Sequence, residues 1–133
     1  MMSKIRNRFV PALALAALLL AMVAVVPAQR GRSIVERVRF PRGRTTAVLK
    51  GTVARGMSHD YLLGAQAGQS MSVHLSARGD VRFTILNPDG DSLADYVQDW
   101  SGELPLSGDY RINVLPDTSR NSAIAYTLEV TIR

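Results

Sequence analysis

The 133-residue sequence predicts an all-β protein: an antiparallel, jelly-roll-like β-sandwich of eight or nine short strands behind an N-terminal signal peptide. Two observations predict the sandwich. Apolar and polar residues alternate along successive runs, which is the pattern of a strand with one buried face. Turn residues separate these runs about every ten positions, a spacing typical of sandwiches and barrels. A third observation, basic residues followed by a long apolar run at the N-terminus, predicts the signal peptide.

Residues 1–28 have the order of a secretory signal. Three basic side chains precede the apolar run, and Val26 and Ala28 occupy the −3 and −1 positions of a cleavage site. The alternative is an uncleaved membrane anchor, but the run is short for a span of about 20 apolar residues. We therefore expect cleavage before Gln29, which leaves residues 29–133 as a single domain, with no membrane span, in the periplasm or outside the cell.

The predicted mature domain carries little net charge. The formal charge of +5 falls to +2 once the three basic residues of the signal are removed, so the charge gives no argument for a nucleic-acid partner. The charges are segregated: residues 29–55 hold eight basic side chains and one acid, whereas residues 89–117 hold seven acids and one base. The absence of cysteine excludes disulfides, a cysteine nucleophile and a lipid-modified N-terminal cysteine.

The first half of the mature domain contains four predicted strands, each followed by a turn that contains Gly: Ile34–Phe40, Ala47–Val53, Asp60–Ala65 and Ser70–Ser76. The fourth is the clearest, because Met71, Val73 and Leu75 fall on one face and polar residues fall on the other. His59 falls in the turn before the third strand, and His74 lies on the polar face of the fourth.

The second half is predicted to contain Val81–Leu86, one or two strands within residues 92–106, Tyr110–Leu115 and Ala125–Ile132. Asn87-Pro88-Asp89-Gly90 is a strong turn signal, since Pro fixes φ at the second position and Gly tolerates a positive φ. Residues 92–106 are placed around Tyr96, Trp100 and Leu104. The other strands direct these residues to the core: Val81, Phe83, Ile85, Tyr110, Ile112, Val114, Tyr126, Leu128, Val130 and Ile132.

No pattern in the sequence supports catalysis, a cofactor or a metal site. The two histidines have no metal-ligand spacing, and no nucleophile elbow or phosphate-binding loop is present. Asn87, Asp89 and Asp91 are spaced like the opening of a calcium loop. However, Ser92 and Gln98 stand where that loop needs its Gly and its bidentate Glu. We therefore interpret the segment as a hairpin turn and predict a protein that is not an enzyme.

Several segments resemble the bacterial pre-peptidase C-terminal (PPC) domain family and a related group, the periplasmic inhibitors of g-type lysozyme. The resemblance spans residues 47–132, nearly the whole mature domain. These segments carry it: Gly51-Thr52-Val53, Ser58-His59-Asp60-Tyr61, Ala67-Gly68-Gln69-Ser70-Met71-Ser72-Val73, Leu86-Asn87-Pro88-Asp89-Gly90, Ser107-Gly108-Asp109-Tyr110-Arg111-Ile112-Asn113-Val114 and Ala125-Tyr126-Thr127-Leu128-Glu129-Val130.

The resemblance implies a jelly-roll-like sandwich and an exported binding protein. PPC domains accompany secreted peptidases as non-catalytic modules, and the sequence carries no peptidase, which favours the stand-alone inhibitors. Their wider group presents a Ser-Gly-x-Tyr loop to the active-site cleft of lysozyme. Ser107, Gly108, Asp109 and Tyr110 match that loop, and Arg120 in the following polar loop is expected nearby. These five residues are the expected contacts with a protein partner, a g-type lysozyme.

Two alternatives stay open on the sequence alone. Tyr110 is either a contact residue or a ring of the core, because a tyrosine at a strand start serves both roles. The protein itself is either a lysozyme inhibitor or a structural or accessory module of the envelope, associated with a separate secreted enzyme.

Overall fold

The computed structural model describes residues 31–117 and 122–133. The predicted signal peptide, residues 1–28, and Arg120 therefore lie outside the described residues. The described part of the chain contains nine strands and no helix, which confirms the all-β prediction. The strands are β1 Arg32–Arg37, β2 Thr46–Val53, β3 Met57–Ala65, β4 Ser70–Ala77, β5 Val81–Leu86, β6 Ser92–Val97, β7 Asp99–Glu103, β8 Gly108–Pro116 and β9 Ile124–Ile132. No helix within these ranges is long and apolar enough to cross a membrane.

The strands form two sheets that pack face to face. Sheet A has the order β1-β3-β8-β5-β6, and sheet B has the order β2-β9-β4-β7. All pairs are antiparallel except β1 with β3, which run parallel in the register Arg32 opposite Met57 to Arg37 opposite Leu62. This pair departs from the purely antiparallel arrangement expected from the sequence. The parallel pairing follows from β2, which lies in sheet B and runs opposite to β1. β3 then returns to sheet A and runs in the same direction as β1.

The core lies between the two sheets and is built from alternate residues of the strands. The inward faces predicted for β4, β5, β8 and β9 are confirmed, because these residues are all buried: Met71, Val73, Leu75, Val81, Phe83, Ile85, Tyr110, Ile112, Val114, Tyr126, Leu128, Val130 and Ile132. Leu104 is buried as well, next to β7. Since successive strand side chains point to opposite faces, polar neighbours on these strands remain at the surface.

Two local predictions are corrected by the structure. β1 ends at Arg37 rather than at Phe40. β3 begins at Met57 rather than at Asp60, so His59 lies inside a strand and is 8% exposed, where the sequence suggested a turn. Residues 92–106 form two strands, within the predicted range, but Tyr96 on the first of them is 51% exposed.

The two ends of β8 mark two ends of the sandwich, because β8 lies in the middle of sheet A. The first, which we call the Ser107 end, gathers the β3–β4, β5–β6 and β7–β8 turns. The second, which we call the Arg78 end, gathers the β2–β3 and β4–β5 turns and the described residues that flank the β8–β9 connection. β8 has nine residues, so the two ends are separated by about 25–30 Å.

Candidate functional site

The Ser107 loop is held by hydrogen bonds within the protein. The Ser107 hydroxyl accepts a hydrogen bond from the Ala67 amide at 2.9 Å. The Asp109 carboxylate accepts two from the Arg37 guanidinium, at 2.8 and 3.1 Å. This hydrogen-bonded pair lowers the pKa of Asp109 and raises the pKa of Arg37. Both side chains are more than half exposed, so the pair is a surface feature, and it joins β1 to β8 across β3.

Gly108 is required by a close approach and by its backbone conformation. Its φ is +141°, a region that residues with a Cβ rarely adopt. A Cβ at this position would lie 3.0 Å from two carbon atoms of Pro88 in the β5–β6 turn. Gly108 therefore allows the β7–β8 loop to pack against the neighbouring turn.

Tyr110 lies beneath this loop and is fully buried, with 0% exposure. Its hydroxyl donates to the Leu106 carbonyl at 2.6 Å and accepts from the Leu106 amide at 3.1 Å. The ring thus ties the loop to the core. Of the two alternatives for Tyr110, the structure favours the ring of the core: this side chain positions the loop and is not presented to a partner.

The structure describes four of the five predicted site residues, Ser107 to Tyr110. Arg120 lies outside the described residues, but Asp117, which precedes its loop segment, is at the Arg78 end. The Asp117 amide donates to the Asp80 carbonyl at 2.7 Å, and its carboxylate accepts from Arg82 Nε at 3.0 Å. Ser107 lies at the opposite end of β8. The four described residues of the sequence-predicted site therefore lie together at the Ser107 end.

An open groove lies at the Arg78 end, on residues of β2, β4, β9 and the β4–β5 turn. Its lining includes Lys50, Thr52, Arg78, Asp80, Ser122 and Thr127. Among the described residues, neither Lys50 nor Arg78 forms an ion pair. Ser122 also borders the connection that carries Arg120. This groove was not identified from the sequence, because its residues come from three distant segments.

A buried polar cluster joins the two sheets. His59 Nε2 lies 3.2 Å from Glu36 Oε2, and His59 Nδ1 lies 2.9 Å from the Tyr126 hydroxyl. The Tyr126 and Tyr61 hydroxyls are 2.7 Å apart, and the His59 and Tyr61 rings stack at 4.3 Å. Burial raises the pKa of Tyr61 and of Tyr126. Each polar atom of the cluster has a partner inside the protein, so the cluster is part of the scaffold.

Carboxylates elsewhere are used by the fold as well. Asp60, 5% exposed, accepts hydrogen bonds from Arg111 at 2.9 Å and from the Asn113 amide. Asn87 Oδ1 accepts from the amides of Asp89 and Asp91, at 2.9 and 3.0 Å, which makes the segment a hydrogen-bonded turn. Within residues 31–117 and 122–133, no three His, Cys, Asp or Glu side chains are grouped to hold a metal ion.

Comparison with known proteins gives a clear result for structure and none for sequence. No protein-family model and no curated protein matches the chain. Among solved structures, PliG of Aeromonas hydrophila, a periplasmic inhibitor of g-type lysozyme, is similar at a TM-score of 0.71 and 28% identity, over 77% of this chain and 98% of that one. PliG of Salmonella Typhimurium, described in the same way, is similar at 0.63 and 25%, over 77% and 99%.

A third structure extends the similarity to the other group that the sequence resembles. The pre-peptidase C-terminal domain of a Bacillus anthracis collagenase is similar at a TM-score of 0.53 over 76% of this chain and 96% of that one. Its 10% identity shows a common fold alone. The resemblance predicted from the sequence is thus confirmed: this chain has the β-sandwich of the periplasmic g-type lysozyme inhibitors and of a pre-peptidase C-terminal domain.

Proposed function

We propose that this protein is an exported, non-catalytic inhibitor of a g-type lysozyme. The observation that carries the proposal is the similarity to Aeromonas hydrophila PliG, at 28% identity over 98% of that protein. Because the similar inhibitors are periplasmic and residues 1–28 have the order of a secretory signal, the proposed compartment is the periplasm.

The Arg78 end is the better surface for covering an active-site cleft. Glycoside hydrolases act through carboxylic side chains, so their clefts attract positive charge. Lys50 and Arg78 are available in the groove at this end, and Arg120 lies in the adjoining connection. At the Ser107 end, carboxylates such as Asp89 and Glu103 share the surface with the arginines of the β1–β2 connection, residues 38–45, so the charge there is mixed. A charge-assisted hydrogen bond to a buried carboxylate contributes about 1.5–3 kcal/mol.

The first experiment is an inhibition assay with wild-type protein. Residues 29–133, at micromolar concentration, should slow the lysis of cell walls by a g-type lysozyme, with c-type and i-type enzymes assayed in parallel. If no lysozyme is inhibited, the proposal fails. The accessory-module alternative, which has the fold of the collagenase domain as its only support, then takes its place.

The second experiment decides which end makes the contact. Arg78→Ala and Arg120→Ala should each raise the inhibition constant by about tenfold or more, since about 1.4 kcal/mol corresponds to a factor of ten. Ser107→Ala and Asp109→Ala, at the opposite end, should leave it nearly unchanged. Thermal unfolding of all four variants controls for stability. If the two Ser107-end variants lose inhibition and the arginine variants keep it, the contact lies on the Ser107 loop.

A further inference from the structure

Tyr96 stands on an irregularity of strand β6. Phe83 is opposite Val97 and Ile85 is opposite Ala94, so two residues of β6, Asp95 and Tyr96, correspond to one residue of β5. This is a β-bulge at the edge of sheet A. Within the part of the chain that the structure describes, Tyr96 is the one non-glycine residue with a positive φ, at +53°.

The fold gains little from a tyrosine at this position. A left-handed backbone conformation is unfavourable for a large side chain, whereas Gly and Asn adopt it readily. Burial of the side chain offsets little of this unfavourable free energy, because Tyr96 is 51% exposed. A strained residue that the core does not use indicates a role outside the fold.

The surroundings of Tyr96 are polar and held in place. Arg82 Nη1 donates to the Tyr96 carbonyl at 3.5 Å, and Arg82 Nε donates to Asp117 at 3.0 Å. Thr84 donates to Asp95 at 3.1 Å. A guanidinium, a hydroxyl and two carboxylates thus surround the bulge in fixed positions.

Tyr96 is also isolated from other exposed apolar side chains. Within residues 31–117 and 122–133, the other large exposed ones are Ile34, Val35 and Val48. They belong to β1 and β2, whereas β6 is at the opposite edge of sheet A from β1. Aromatic anchors of protein interfaces cluster with apolar neighbours that exclude water. An exposed aromatic ring among fixed polar groups is suited instead to a sugar, whose C–H face stacks on the ring while its hydroxyls pair with donors and acceptors.

We propose that the β6 bulge is a glycan-binding site that takes one pyranose ring of a polysaccharide. Tyr96 supplies the stacking surface. Arg82, Thr84 and Asp95 supply hydrogen bonds to adjacent hydroxyls. The proposed sugar binding does not require lysozyme and is independent of the proposed inhibition.

The test is a titration of residues 29–133, followed by NMR, with chitotetraose and with cellotetraose in the absence of lysozyme. Binding of both identifies hydroxyl recognition, and binding of chitotetraose alone identifies recognition of the N-acetyl group. Tyr96→Phe keeps the ring and should bind like the wild type. Tyr96→Gly removes both ring and strain, so it should melt at the same or a higher temperature and lose at least tenfold in affinity.

Two results would overturn the proposal. One is the absence of binding of either saccharide at millimolar concentration; if Tyr96→Gly then still weakens lysozyme inhibition, Tyr96 is a protein contact. The other is equal saccharide binding by Tyr96→Gly and wild type. Neither result bears on whether the wild-type protein inhibits lysozyme.

Discussion

At the Ser107 end the polar side chains of the loop are bonded to the protein itself, whereas at the Arg78 end two cations of the groove have no ion-pair partner among the described residues. The Ser107 hydroxyl accepts a hydrogen bond from an amide of the neighbouring turn, and Asp109 forms an ion pair with Arg37. Lys50 and Arg78 line an open groove instead. A carboxylate of a partner can pair with Lys50 or Arg78 without displacing an ion-pair partner among the described residues, whereas Asp109 would have to release Arg37 to bind another cation.

This difference explains what the Ser-Gly-x-Tyr motif does in this chain. Gly108 allows close packing on Pro88, and Tyr110 ties the loop to the core through Leu106. Ser107 and Asp109 fasten the loop from either side. In this chain the four residues of the motif thus build the loop and attach it to the sandwich.

The largest expected effect is the loss of the Tyr110 ring. Tyr110→Ala should lower the free energy of unfolding by about 3–5 kcal/mol, because it leaves a cavity at a fully buried aromatic position. Tyr110→Phe, which removes only the bonds to Leu106, should lower it by about 1–3 kcal/mol. Urea unfolding measures both. A Tyr110→Ala protein as stable as the wild type would show that the Ser107 end does not depend on this ring.

Two glycine substitutions compare how tightly the two ends are packed. In Gly51→Ala the new Cβ would lie 2.6 Å from Tyr126 Cζ, and such overpacking costs about 1–3 kcal/mol. In Gly64→Ala, beside the Ser107 loop, the nearest atom is Asp109 Oδ1 at 3.6 Å, an ordinary contact. Gly64→Ala should therefore leave the melting temperature unchanged or slightly raised. Equal losses in both variants would contradict the packing described around Tyr126.

The smallest loss of stability is expected when the Arg37–Asp109 pair is removed. The pKa of Asp109 is lowered by Arg37, so any stability it adds is present above the unfolded-state pKa and is lost as the pH falls through the folded-state value. Because both groups are more than half exposed, Asp109→Asn should lower the melting temperature less than Gly51→Ala or either Tyr110 variant does. Thermal unfolding at about pH 7 and about pH 3 checks this, since the difference between variant and wild type should shrink as the Asp109 carboxyl becomes protonated. A large loss at neutral pH would make the pair essential to the Ser107 end.

The fold could be predicted where one face of a strand is buried. β4, β5, β8 and β9 alternate cleanly, so their inward residues follow from the sequence and their predicted boundaries agree with the structure to within two residues. β1 has all six residues exposed, and therefore no alternation marks where it ends. Its parallel pairing with β3 depends on the crossing of β2, which the sequence does not encode locally.

The candidate site was harder to predict, because its parts meet only after folding. His59 is buried against Tyr126 and Glu36, which lie far from it in the chain. Because no nearby residue indicates this burial, the sequence pattern predicts a turn for a polar residue that precedes an apolar run. Ser107 and Asp117 are close in sequence, but β8 places them at opposite ends of the sandwich. Nearness in sequence says little when a nine-residue strand lies between two loops.

The position of the last two strands has a consequence for the order of folding. β8 lies between β3 and β5, and β9 lies between β2 and β4, so each sheet is joined in its middle by residues 108–132. A growing chain that lacks them can form only isolated strand pairs, which are marginal in water. Such long-range pairing makes folding slow and late. If residues 1–28 act as the proposed secretory signal, the sandwich closes only after β8 and β9 have crossed the membrane.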